Sequence, residues 1–303
     1  MSQAVSTAWT ASPPAHETET SKSFGEFFRY HGWLAPGVRW FRVMGFRAKA
    51  SWVALAFLIP LVVMLVFLSS AALEQIKFAQ AERQGLTYVR PLLGLLQAAQ
   101  ERRLAAASGA ANLAEVQDKV KAAFDKVQAA HGAMGGAVDA AKEFEALQTL
   151  HQKLLQAPMA ASALDTFRAH NEYTQAVLSL VSQVSDGSQL TLDPDLDTYH
   201  MMNLSVLRGP VLMEYTARLR GMGIVILASK ELSPEHLKWM ARWAGARDLL
   251  DRDVTNSYTE GIASSPEAAR LLDRQPALSA AAAFKDAVEA QIMGAALQGE
   301  ADS

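Results

Sequence analysis

Arginine is the residue in this chain whose placement most readily suggests chemistry. Arg90, Arg102 and Arg103 sit together in a Gln-rich, helix-forming stretch, and Arg208, Arg218 and Arg220 recur in a second one far downstream. A guanidinium presents a planar fork of donors that matches a carboxylate or an inorganic oxyanion at two points. Arginines converging from facing helices would therefore clamp a small anion; the alternative is that each is solvated or paired with a nearby acid. The expected ligand-binding set is Arg103 with Arg90 and Arg208.

Other chemistries lack their residues. The chain has no cysteine, which removes disulfides, cysteine nucleophiles and thiolate metal sites. Its seven histidines show no HExxH or HxxxH spacing, so no zinc site is expected. No Gly-rich phosphate loop or GxSxG elbow occurs. Asp193, Asp195 and Asp197 alternate as in a calcium loop, but the sixth and twelfth places hold Thr198 and Leu204 in place of Gly and Glu. These aspartates are better suited to capping the helix that follows. We expect no enzyme, no metal and no cofactor.

What positions the arginines is legible from hydropathy. Residues 50–73 hold no charge, and a helix rising about 1.5 Å per residue crosses a bilayer core in about 20 residues. This run is expected to be a transmembrane helix, kinked at Pro60. The segment 1–49 precedes it, with its first 20 residues disordered and a basic, aromatic stretch from Phe28 to Ala50 lying along the lipid headgroups. Arg39, Arg42, Arg47 and Lys49 crowd the near flank of the span, whereas the far flank balances its charges. Positive charge is retained on the cytoplasmic side, so the N-terminus is expected there and residues 74–303 outside, anchored in a bacterial inner membrane by one pass. A net charge of −3 with no basic block after the span argues against nucleic acid as a partner.

The outer segment reads as all-α. Leu113, Val116, Val120, Phe124 and Val127 fall on one helical face, and no stretch sustains period-two alternation. The expected helices run from Glu74 to about Ala107, from about Asn112 to Gln156 with loosening at Gly132, Gly135 and Gly136, from Pro158 to about Gly187, and from about Thr198 to Ser229 with a kink at Gly209-Pro210. Ser233-Pro234 and Ser265-Pro266 each pair an N-cap with a proline at the first helical position, and a last helix follows Pro276. The expected architecture is an elongated antiparallel helical bundle, with two stacked four-helix bundles sharing long helices.

Two blocks carry a resemblance. ERQGLTYVRPLLGLLQAAQERR, from Glu82 to Arg103, and SQLTLDPDLDTYHMMNLSVLRGPVLMEYTARLRGMG, from Ser188 to Gly223, resemble the helical periplasmic sensor region of bacterial methyl-accepting chemotaxis proteins. Similar regions precede sensor kinases and diguanylate cyclases. Arg103 matches the arginine of a His-Arg-Gly element common in such sensors, while Arg102 and Leu104 replace its histidine and glycine. The resemblance implies a membrane-anchored sensory input module that binds a small ligand, dimerises through its membrane-proximal helix and passes a helix displacement to the membrane. It also implies a return span and an output domain, whereas this sequence ends at GAALQGEADS, so the expectation is either the amino-terminal part of a longer receptor or a truncated product. The alternative is a membrane-anchored helical interaction protein that does not signal.

Overall fold

A computed structural model describes Gly32 and residues 35–156 and 163–290. The expectations for the disordered start, for most of the aromatic stretch before Ala35, for Pro158 and for the terminal GAALQGEADS lie outside the described residues. Among the described residues every regular element is helical and no strand occurs, so the all-α class holds. The chain divides into two compact units, Met1–Leu73 and Glu74–Ser303.

In the first unit, helix α1 (Ala35–Val43) precedes the start of α2 (Phe46–Ser108), and the Trp40 and Trp52 rings meet edge to face at 5.2 Å. The apolar stretch of α2 has a mean hydropathy of 2.7 with none of it buried, which makes it the one described helix long and apolar enough to cross a membrane. It stays helical through Pro60. Beyond Leu73 the same helix continues to Ser108. There Gly109 takes φ +65°, a left-handed conformation that suits glycine, and Ala110 N–H returns to the Ala105 carbonyl.

The second unit is built on α2 and eight further α-helices among the described residues: α3 (Leu113–Met134), α4 (Ala141–Gln156), α5 (Ala163–Gly187), α6 (Leu196–Met202), α7 (Gly209–Ser229), α8 (Pro234–Ser264), α9 (Pro266–Leu271) and α10 (Gln275–Val288). The stripe on α3 buries Val116, Val120, Phe124 and Val127 as its spacing requires. The expected single helix from Asn112 to Gln156 is instead a hairpin. Gly135 and Gly136 end α3, Asp139 turns with φ +49°, and α4 folds back. Aromatic rings fix its register: His131 stacks on Phe144 and Phe124 on His151, both at 3.8 Å.

The expected kink near Gly209-Pro210 is a π-helical turn over Asn203–Arg208 between α6 and α7. Proline lacks an N–H and crowds the carbonyl four residues back, and widening the preceding turn relieves both. Ser233 and Ser265 cap α8 and α9, accepting from His236 N–H and Ala268 N–H, each with proline at the first helical position. The aspartates before α6 act differently from simple caps. Asp195 occupies the N-cap position without a side-chain cap bond; Asp193 receives Asp195 N–H in a local Asx turn, and Asp197 receives Thr198 N–H.

Two apolar cores result. One gathers Tyr88 to Ala99 of α2 with the inner faces of α3, α4 and α5 and with Met202 and Val206; the other gathers Ala107, Phe167, Leu219, Met222, Met240 and Trp243 with neighbours. Helices α2 and α5 contribute to both.

Candidate functional site

The boundary between the two cores is polar. On α2 it falls at Gln100–Arg103, on α5 at His170–Thr174, and on α7 at Glu214–Arg218, and the side chains bond to one another across the three helices. Glu214 is its centre. The carboxylate is fully buried and accepts from Arg103 Nη1 at 2.6 Å and Nη2 at 3.1 Å, from Gln100 Nε2 at 2.9 Å, from Thr174 Oγ1 at 2.8 Å and from Arg218 Nε at 2.7 Å. Burial alone would raise its pKa, but Arg103 and Arg218 outweigh that and hold the carboxyl below its ordinary value. Arg103 is 1% exposed, also donates to Asn171 Oδ1 at 2.7 Å, and lies 5.3 Å from the Phe167 ring centroid.

Arg102 points to the other side of α2. It donates to His170 Nε2 at 2.6 Å and to the Leu154 carbonyl and Gln117 at 3.2 Å each. His170 Nδ1 lies 2.6 Å from the Thr166 carbonyl and must donate there, which fixes a neutral imidazole whose other nitrogen accepts from Arg102. Burial, reinforced by the neighbouring guanidinium charges, lowers the His170 pKa to about 4.

The structure does not bring the three expected ligand arginines together. Arg103 is enclosed by Glu214. Arg90 is exposed thirteen residues earlier on the same helix, about 20 Å along its axis, too far to share a small anion with Arg103. Arg208 is half-exposed with its Nε 4.0 Å from Asp253. Arg218, ten residues further along on α7, lines an aromatic opening.

That opening is a cavity of about 500 Å3 against the polar layer, between α5, α7 and α8. Phe167, Trp239, Trp243 and Met222 make its apolar wall, with ring centroids 5.7 Å apart for Phe167–Trp243 and 5.6 Å for Trp239–Trp243. Asn171 and Arg218, both members of the Glu214 network, supply its polar end. Arg168 stands at the margin, where Asp165 and Glu235 already engage it, and Glu172 is exposed there. Gly221 makes the wall possible: a Cβ on it would lie 2.6 Å from the Phe167 ring.

The arrangement offers an open, aromatic-walled slot with a cationic end, suited to holding a small molecule. Among the described residues no three His, Asp or Glu side chains converge to hold a metal. Sequence reasoning missed the two tryptophans and Glu214. The available signals were the four-residue spacing of KWMARW, which puts Trp239 and Trp243 on one face, and the isolation of Glu214 as the single acid in an otherwise apolar and basic α7. No family model, curated protein or solved structure matches the chain.

Proposed function

We propose that this chain is a membrane-anchored sensory input module of the chemoreceptor type, in which a small extracytoplasmic ligand is bound by the helical unit and its presence is passed to the membrane along α2. One observation carries the reading. The helix that bears the exposed apolar stretch also supplies Gln100 and Arg103 to the buried layer, and that layer shares Asn171 and Arg218 with the cavity. A ligand that repositions Arg218 competes for Glu214, and Glu214 holds α2. Packed interfaces tend to switch between discrete arrangements and do not deform continuously, so the expected output is a small shift of α2. The positive flank before the apolar run supports a cytoplasmic N-terminus, and the two cores sharing α2 and α5 support a stacked-bundle arrangement.

The reading also calls for a homodimer, with the small residues Ser69, Ser70, Ala71 and Ala72 allowing two copies of α2 to approach. The test is disulfide cross-linking in membranes of single cysteines placed from Ser69 to Gln80, with and without Glu214→Gln. A helical period of about 3.6 in the native background is expected, with a changed profile once Glu214 loses its charge. Identical profiles in the two backgrounds would refute the coupling, and no cross-linking at all would refute the dimer.

A further inference from the structure

The polar layer is short of negative charge. Arg103 and Arg218 share the single carboxylate of Glu214, and Arg102, on the adjoining position of α2, is bonded to a neutral histidine, an amide oxygen and a carbonyl. Arg220 adds further positive potential at Arg103. A guanidinium stays charged at any accessible pH, and a buried charge without a counterion is costly. Arg103 has the better claim on Glu214, holding it at two points from a fully buried position. Arg218 offers only Nε to that carboxylate, while its outer edge, bonded at 3.4 Å to Gln175, lines the cavity. The acids at the margin do not fill the deficit: Glu235 is taken by Arg168, and Glu172 is solvated.

The rest of the wall specifies the other end of the occupant. Phe167, Trp243 and Trp239 line the wall in succession, their ring planes tilted by 43° and 31° between neighbours, and Met222 lies beside them. Planar faces of this kind favour a flat ring, in offset or tilted stacking, over a branched aliphatic body. A cavity of about 500 Å3 is within the ordinary range for small-molecule sites.

We propose that the ligand is an aromatic carboxylate, its ring between Trp239, Trp243 and Phe167 and its carboxylate on the Nη edge of Arg218, supplying the negative charge that the layer lacks. This rests on the sensory reading above for its biological meaning, but not for its chemistry. Recognition needs both ends, since acetate would meet the charge without filling the slot and a neutral ring would fill the slot without meeting the charge.

The experiment titrates the full chain in lipid nanodiscs with phenylacetate, acetate, benzyl alcohol and benzylammonium, by calorimetry and by the shift in melting temperature. Phenylacetate should bind at least tenfold more tightly than each of the other three. Arg218→Gln should weaken phenylacetate by roughly 10–100-fold and leave benzyl alcohol unchanged, as expected for loss of a charged hydrogen bond. Trp239→Leu, a partly buried position at the edge of the second core, should weaken phenylacetate and benzyl alcohol alike. If benzylammonium or benzyl alcohol binds as well as phenylacetate, the carboxylate assignment is overturned while the cavity remains a ligand site. If no ring compound binds the native chain, the aromatic assignment is overturned outright. If phenylacetate binds as proposed but leaves the cross-linking profile between Ser69 and Gln80 unchanged, the ligand class stands and the sensory reading fails.

Discussion

Replacing Glu214 by glutamine should be among the most damaging single changes in the helical unit. The carboxylate is buried and receives five donor contacts: two from Arg103, and one each from Gln100, Thr174 and Arg218. Glutamine keeps the shape but removes the charge, leaving Arg103, 1% exposed, and Arg218 without a counterion. Breaking a buried pair by deleting one partner typically costs about 3–5 kcal/mol, because the remaining charge cannot regain water. For a unit the size of Glu74–Ser303, each kcal/mol moves the melting temperature by roughly 2–4 °C, so a fall of roughly 6–20 °C is expected. The assay is thermal unfolding of the full chain in nanodiscs, followed by tryptophan fluorescence, since Trp243 packs in the adjoining core. Arg103→Gln should cost a comparable amount, and the double variant less than the two combined by about 1.5 kcal/mol or more. A Glu214→Gln chain that melts within about 2 °C of the native one, or single costs that simply add, would show that the layer is not held by this pair.

Other consequences are equally direct. His170 is held neutral in the fold with a pKa of about 4, against an ordinary value near 6.5, so the folded form takes up its proton later than the unfolded chain as pH falls. Its stabilising contribution is complete above pH 6.5 and is lost as pH drops toward 4; about 2 kcal/mol should be gone at pH 5, and a melting temperature that is flat from pH 7 to 5 would contradict this. Gly221→Ala should push the Phe167 ring from its place, costing about 1–3 kcal/mol despite alanine's better helix propensity, whereas the same change at open Gly245 should be neutral or stabilising; equal melting shifts would rule out the close approach. Ser233→Ala removes the α8 cap and should cost about 1 kcal/mol in denaturant unfolding, with no change if the capping box is unimportant. Arginine at both Leu61 and Leu65 should block membrane insertion, at about 2.5–3.5 kcal/mol for each charge near the helix centre, and normal membrane fractionation would argue against the span.

Local signals were read well from sequence and distant ones were not. Ser233-Pro234 and Ser265-Pro266 announce helix starts because an N-cap and a proline act on backbone groups within three residues. The α3 stripe is legible for the same reason, since burial repeats with the helical turn. From sequence the glycines at 135 and 136 suggest only a loosening of one helix, yet whether such a pair bends or ends a helix depends on whether the following segment has something to fold onto. Here the Phe124, His131, Phe144 and His151 rings provide it. The separation of Arg90, Arg103 and Arg208 has a different cause. Arg103 is legible as an anion-binding cation from its two-point geometry and the resemblance, but the residue that occupies its fork lies 111 positions away. Nothing in local pattern links the two. Arg218, by contrast, stands four residues after Glu214, so their pairing is a local signal.

The separation of Arg103 from Glu214 along the chain also sets an order of assembly. As the polypeptide emerges N-terminus first, Arg102 and Arg103 appear long before Glu214, with α3, α4 and α5 formed between them. The hairpin of α3 and α4 closes over short loops and can stack its four rings early, and α5 then brings His170 to Arg102 and Asn171 and Thr174 to Arg103. The first core can therefore gather most of its side chains while Arg103 still lacks a counterion. Only when α7 docks does the charge close, and α7 also delivers Leu219, Met222 and Gly221 to the second core. The ion pair is thus the late clasp of a nascent chain, and until α7 arrives the aromatic cavity has neither its cationic end nor its full wall.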